Sequence, residues 1–422
     1  MNLPESLRAL RHRNYRIFFA GQLVSLTGTW MQSVAQAWLA YRLTNSAVLL
    51  GIVGFAGQIP TLLFSPAGGV VADRFPRRRV LIVTQASSMG LAFVLAALTF
   101  ADAISVPWIL ALAALGGVVN AFDIPTRQAF AIDMVGRDDL VNAIALNSSM
   151  FNGARVMGPA IAGLLVARIG EAWCFLANGV SYFAVLASLV AMRVSPAAAA
   201  RTTSAWTSAR EGFAYVARAR PVRALLLLLG LVSLTGMPYA VLMPVFAREI
   251  LGGGARELGL LMGASGVGAL LGAVVLAHRR SVKGLGNFVA LCAGGMGLAL
   301  VAFSFSHSFW ISAALLVPVG FCMMSEMASS NTLIQSLIPD AMRGRVMSLY
   351  AMMFMGMAPV GALLAGGLAS RIGAPATIAG GGILCLAGAL VFARHLPHLR
   401  TEARQIIVEL QMTGGDPPEE PT

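Results

Sequence analysis

The chain has 422 residues, 57% of them hydrophobic and only 11% charged, with a net charge of +12 at pH 7. A soluble domain carries about 25% charged residues, so a water-soluble globular protein is excluded. The basic balance does not indicate nucleic acid either, because the arginines punctuate apolar runs and do not gather on a polar face with readout elements.

Twelve membrane helices of about 20 residues each would use the apolar inventory and leave only short loops. In chain order, a basic start with Arg8, Arg11, Arg13 and Arg16 precedes an apolar run. Ala35-Gln36-Ala37 imitates a cleavage site, but Ile17 to Leu39 exceeds the signal-peptide apolar core of about 7–15 residues, and another span follows at once. The run is read as the first membrane helix. Breaks at charged and Gly/Pro-rich points predict helices near 15–41, 47–72, 79–101, 105–125, 142–168 and 172–193. Ser195 to Arg223 is polar and basic, with Trp206, Phe213 and Tyr215 set among Arg210, Arg218 and Arg220. It suits either an amphipathic helix lying on the membrane surface or a flexible linker. Six more helices are expected near 222–246, 257–277, 285–305, 308–331, 345–370 and 374–394. The expected organisation is therefore all-α and integral to the membrane: a six-helix bundle over 1–194, a cytoplasmic linker over 195–223, a second six-helix bundle over 224–400 and a disordered cytoplasmic tail over 401–422.

With the N-terminus inside, 24 of the 30 basic residues fall in cytoplasmic segments and five, Arg42, Arg168, Arg248, Arg256 and Arg371, in outer loops. That asymmetry predicts both termini in the cytoplasm. Arginine outnumbers lysine 29 to 1, which resembles a GC-rich bacterial coding bias, and the expected location is a bacterial inner membrane. Cys174, Cys292, Cys322 and Cys385 are scattered through apolar stretches and read as small core hydrophobes, with no metal or redox motif.

Several polar groups stand where lipid would penalise them. Gln22, Ser25, Thr29, Gln32, Ser33 and Gln36 recur at steps of three and four on one face of the first span. The fifth span carries a similar polar set in Asn147, Ser148, Asn152 and Arg155. Such stripes either line a polar pathway or bond to a neighbouring helix. Arg155 sits about 20 Å into its span, where a charge costs at least about 2.5–3.5 kcal/mol, so it needs a cavity or a partner. Pro60, Pro238, Pro244 and Pro318 predict bends.

The chain also matches itself at an offset of 203 residues: Val135 to Gly170 aligns without gaps on Ile338 to Gly373, with Arg168-Ile169-Gly170 repeated as Arg371-Ile372-Gly373. The same offset pairs Asp123 with Glu326 and Arg155 with Ala358. A duplicated unit with an even number of spans inserts both copies in one orientation, related by a pseudo-twofold axis along the membrane normal. Asp123 and Glu326 both approach the cytoplasmic ends of their spans. Inner-gate ion pairing with Arg127 or Arg345, proton carriage and structural capping are all open to them.

Gly69-Val70-Val71-Ala72-Asp73-Arg74-Phe75-Pro76-Arg77-Arg78-Arg79 resembles the loop 2–3 signature of the major facilitator superfamily, with Pro76 where glycine is usual. Gly158-Pro159 with Gly163 resembles the antiporter motif of that superfamily's exporters, although Ala154 fills the upstream glycine position. Leu10 to Arg16, Phe122 to Phe130 and Arg343 to Ser348 look like the enterobactin-exporter-like branch of transmembrane secretion effectors. The resemblance implies the major facilitator fold and an inner gate built from Gly69, Asp73, Arg74, Arg77, Arg78, Arg343 and Arg345. It also implies a substrate pathway between the halves, for which Gln22, Ser25, Thr29, Gln32, Gln36, Asn152 and Arg155 are the candidates.

The expected activity is export of a small amphiphilic molecule, siderophore- or drug-like, by alternating access in exchange for protons. The missing midplane acid in the first and seventh spans disfavours a strongly cationic substrate. No phosphate-binding Gly-x-x-x-x-Gly-Lys run exists, so the energy must come from a gradient. An importer and a lysophospholipid flippase are the rivals within the fold, and a transport-dead sensor is the rival outside it. An enzyme is not expected: the one close histidine pair, His395 and His398, follows the last span and reads as surface. No cofactor or metal is expected. The partners are the substrate, protons and lipid, without nucleic acid, and the two-half fold can work as a monomer.

Overall fold

A computed structural model describes residues 5–136, 138–192, 205–279 and 284–412. Arg137, Arg193, Arg201, Arg280 and Lys283, and the tail from residue 413, lie outside the described residues. No strand occurs among the described residues. The long helices are α1 (Arg13–Thr44), α2 (Ala47–Arg74), α3 (Arg77–Phe100), α4 (Val106–Val135), α5 (Leu140–Ile169) and α6 (Glu171–Ala191). A shorter α7 (Ala205–Arg218) falls within the basic connecting segment. Then follow α8 (Arg220–Ile250), α9 (Ala255–Ala277), α10 (Leu285–Ser304), α11 (Phe309–Ser336), α12 (Met342–Ile372) and α13 (Ala374–Met412).

Among the described residues eleven helices are long and apolar enough to cross a membrane, and α1 is not one of them. Its polar stripe lowers its hydropathy, yet its 32 residues span about 48 Å, more than a hydrocarbon core of about 30 Å requires. With α1 the chain has the twelve spans of the major facilitator fold.

Two helices outrun their expected ends for the same reason. Pro125 lies inside α4 and Pro397 inside α13. Each removes one backbone donor without stopping the helix, as neighbouring groups in membrane proteins often allow. In place of a disordered tail from residue 401, the helix α13 continues to Met412.

Contacts divide the chain into a first unit, Met1–Thr202 with Ala247–Gly263, and a second, Thr203–Phe246 with Ala264–Thr422. This partition differs from the two consecutive halves expected from the sequence. The reason is local packing in the first unit. A Cβ on Gly163 of α5 would meet the Ala255 carbonyl of α9 at 2.9 Å, and one on Gly259 would meet the Gly163 Cα at 2.7 Å. Two glycines facing each other let these backbones touch.

Within the first unit α2 lies along α4 in the same manner. A Cβ on Gly68 would strike the Ala121 carbonyl, and Thr61 Oγ1 donates to the Gly117 carbonyl at 2.9 Å. Gly69, singled out in the loop signature, would carry a Cβ with nothing within 4 Å, so the spatial demand for glycine falls one residue earlier. Gly68→Val should therefore prevent accumulation of the protein in the membrane, while Gly69→Ala should accumulate normally, both read by immunoblot of membrane fractions.

Among the described residues three π-helical turns occur: Val232–Gly236 and Met352–Gly356 in the second unit, and Phe246–Ile250 at the boundary with the first. The first turn precedes Pro238, whose ring lacks an N–H and crowds the carbonyl four residues back. Its Leu234 and Thr235 carbonyls lie against Gly361 of α12 and Gly381 of α13. The positions 203 residues before Val232–Gly236 and Met352–Gly356, in α1 and α5, are ordinary α-helix. The duplicated units thus differ in their backbones as well as in their side chains.

Candidate functional site

Asp73 closes the last turn of α2, and Pro76 starts α3 with its fixed φ of −57°. Arg77, one residue on, is the hub of this corner. Its Nη1 donates to Asp133 Oδ1 at 2.8 Å, its Nε donates to the Ala72 carbonyl at 3.2 Å, and its Nη2 stands 3.9 Å from Asp73. Arg77 therefore ties the α2–α3 turn to α4. Arg78 donates from Nε to the Leu189 carbonyl at 2.6 Å and from Nη2 to the Val190 carbonyl at 2.8 Å. These are terminal carbonyls of α6, which lack helical partners and favour a cation. Arg74 is exposed.

Asp133 was not singled out in the sequence because α4 was expected to end at Pro125. A second cluster also went unread. Asp139, just before α5, bonds to Arg8 and to His12 Nε2, the latter at 2.7 Å, while Asn142 Oδ1 accepts from the Ala9 amide at 2.8 Å. Hydrogen bonds from His12 and then Arg8 hold the Asp139 carboxyl below the usual carboxylate range. In the second unit Arg345 Nη1 lies 2.6 Å from Glu211 of α7. Arg345 thus serves α7, not the buried acids it was suggested to meet; Arg343 is exposed two residues before it.

The two acids related by the internal repeat have different surroundings. Asp123 is 4% exposed and accepts at Oδ1 from Thr84 Oγ1 and Gln85 Nε2, both at 2.8 Å. Its Oδ2 stands 3.5 Å from Arg127 Nη2, one turn along α4. Glu326 is 1% exposed and accepts from Ser330 Oγ at 3.0 Å, with no cationic side chain within 4 Å among the described residues. Ser330 is the residue 203 positions after Arg127. The second copy of the acid has kept its burial and lacks the counter-ion of the first.

The α1 stripe divides between two environments. Asn178 Nδ2 of α6 donates to Gln32 Oε1 at 2.7 Å, and Thr29 Oγ1 stands 3.4 Å from the Tyr182 hydroxyl. Those residues join α1 to α6. Gln22 and Ser25 are buried, and the Gln22 Oε1 is without a hydrogen-bond partner. Gln36 is half-buried. On α5, Asn152 Nδ2 donates to the Ser148 carbonyl at 2.9 Å, and its Oδ1 is also unsatisfied. The half-buried Arg155 places its guanidinium carbon 5.7 Å from the Trp30 ring centroid, and Phe151 meets that indole edge-on at 5.5 Å. Gly158 seats the indole: a Cβ there would meet Trp30 Cβ at 2.5 Å. Of the motif residues, Gly158 thus packs on α1, Gly163 packs on α9, and Pro159 lies between them inside α5. No group of three or more His, Cys, Asp or Glu fit to hold a metal occurs among the described residues.

A family described as transmembrane secretion effector matches residues 5–413. The chain is 27% identical over 378 residues to the staphyloferrin A transporter of Staphylococcus aureus, covering 89% of this chain and 95% of that one. It is 25% identical over 414 residues to the enterobactin exporter EntS of Escherichia coli K12, covering 94% and 95%. Among solved structures, the nucleoside transporter NupG superposes with a TM-score of 0.71 at 12% identity, over 91% of this chain and 99% of that one, a likeness of fold alone.

Proposed function

We infer that the chain, which belongs to the transmembrane secretion effector family, exports a small amphiphilic molecule, siderophore- or drug-like, across the bacterial inner membrane by alternating access, in exchange for protons. It is a membrane transporter of the major facilitator type and not an enzyme. Export is supported by the likeness to an exporter. Proton coupling is supported by one observation above the others, the environment of Glu326. A buried carboxylate with no cation beside it is costly when charged, so binding a proton stabilises it, and any motion that admits water releases that proton. Asp123 has the Arg127 guanidinium 3.5 Å away and serves as the structural counterpart. A single chain suffices for this cycle.

Proteoliposomes containing the purified protein test the reading. An imposed pH gradient should drive accumulation of enterobactin or staphyloferrin A against its concentration gradient, and a protonophore should stop it. Equilibration without accumulation would leave a facilitator and remove the proton.

The basic ends of the helices are assigned to the cytoplasm, with both termini there. Single cysteines at Ser105 and Thr401, both exposed, should label from opposite faces of intact cells and inverted vesicles. Labelling from one face would end the twelve-span topology.

Asp73 with Arg74, Arg77, Arg78, Arg343 and Arg345 is assigned to the inner gate. The structure suggests that its members contribute differently. Asp73 is one-third exposed and its ion pair is long, so Asp73→Asn should leave thermal stability unchanged and reduce transport. Arg77→Ala leaves Asp133 without its partner in a largely buried corner, and should cost about 3 kcal/mol, lowering the melting temperature of the purified protein. Equal stability of the two variants would show that Arg77 is not the structural hub.

A further inference from the structure

A small cavity of about 70 Å³ opens at the basic end of the second unit, away from every residue assigned above. Its floor is apolar, built from Leu225 of α8, Leu285 of α10, Leu337 beside the end of α11, and Phe392 and Leu396 of α13. All five are buried among their neighbours. Gly286 sets how closely α10 approaches α13 here, since a Cβ on it would meet Leu396 Cδ1 at 3.0 Å.

The rim has the opposite character. Arg400 lines the cavity and is exposed, and no carboxylate lies within 4 Å of it among the described residues. The acid two residues on, Glu402, stands 3.1 Å from Arg220 Nη1 instead. Arg279 reaches the same mouth: its Nη2 lies 3.5 Å from the position of a Cβ on Gly284, a lining residue, and its guanidinium sits 5.0 Å from the Phe288 centroid. An apolar slot under a cationic rim, at the end of membrane spans, matches a molecule with an acyl chain and an anionic head.

We propose that this cavity binds an anionic glycerophospholipid, with the first few methylenes of an acyl chain seated against Leu225, Phe392 and Leu396 and the phosphate at Arg400 and Arg279. Arginine suits the task because its planar fork grips phosphate oxygens in pairs. The proposal does not depend on what the protein transports, and it gives the extension of α13 past the membrane a role: the helix carries Arg400 to the headgroup.

Native mass spectrometry of the full chain in detergent tests it, with dioleoyl phosphatidylglycerol, dioleoyl phosphatidylcholine and glycerol phosphate as probes. The wild type should retain one phosphatidylglycerol at a concentration about tenfold below that needed for phosphatidylcholine, a ratio in keeping with one charge-assisted contact. Arg400→Gln should remove that preference without changing the melting temperature, because the residue is exposed. Ala403→Trp, which fills the cavity from α13, should weaken binding of both lipids. Equal retention of the two lipids by the wild type would overturn the proposal, as would an undiminished preference in Arg400→Gln. Glycerol phosphate binding as tightly as phosphatidylglycerol would also overturn it, showing a site for free phosphate and not for lipid.

Discussion

Glu326→Gln is expected to reduce pH-driven accumulation to the rate of protein-free liposomes while leaving counterflow exchange of substrate intact. The amide keeps the Ser330 hydroxyl as a hydrogen-bond partner and resembles the protonated acid in shape, so the fold should tolerate it. What it removes is the ability to carry charge in one state and none in the other. Coupled export needs that difference; exchange at equal pH does not. Asp123→Asn should behave in the opposite way. It leaves Arg127 without the carboxylate 3.5 Å away in a largely buried pair, and breaking such a pair costs about 3–5 kcal/mol. Its expected effect is a lower melting temperature and less protein in the membrane, with the pH profile of the remaining transport unchanged. If Glu326→Gln still concentrates substrate under a pH gradient, the proton travels elsewhere.

This contrast also shows what the sequence could convey. The repeat at an offset of 203 residues exposed the two acids as a pair, because duplication leaves identities that need no structure to be seen. The spans were legible for a related reason: a bilayer demands long apolar windows, and eleven of them stand out by hydropathy among the described residues. Their ends were less legible. Proline tends to end a helix in water, so the sequence places the end of α4 at Pro125 and leaves Asp133 and its bond to Arg77 out of view. Glu211, the partner of Arg345, lies on α7 in the connecting segment, where the sequence offers no register against α12. Ion pairs between distant segments have no periodicity, and only the fold brings them together. The loss of the counter-ion at Ser330 was in the sequence throughout, but its meaning depends on Arg127 actually facing Asp123, which is a fact of packing.

Arg155 should show the largest effect on substrate recognition. It is the one basic residue placed deep in a span, and the repeat gives Ala358 at its counterpart, so duplication alone does not require it. Its guanidinium lies 5.7 Å from the Trp30 centroid, and Phe151 meets the indole at 5.5 Å, so a cation and two aromatic rings converge on one face between α1 and α5. Such a surface recognises a flat or anionic group: the rings supply apolar area, and the guanidinium supplies charge and paired donors. Arg155→Gln should lower transport of an anionic or catechol-bearing substrate by about tenfold or more, the loss expected when a hydrogen bond to a charged group worth about 1.5–3 kcal/mol is removed. Arg155→Lys keeps the charge and gives up the planar stack, so it should retain part of the rate. Both variants should reach the membrane in normal amounts, and a neutral dye carried by the same protein should be transported nearly as before. Arg155→Gln failing to accumulate in the membrane would assign the residue to folding through its contacts with α1. Unchanged transport of the anionic substrate would remove it from the binding surface, and the aromatic pair Trp30 and Phe151 would then be read as packing against Gly158 alone.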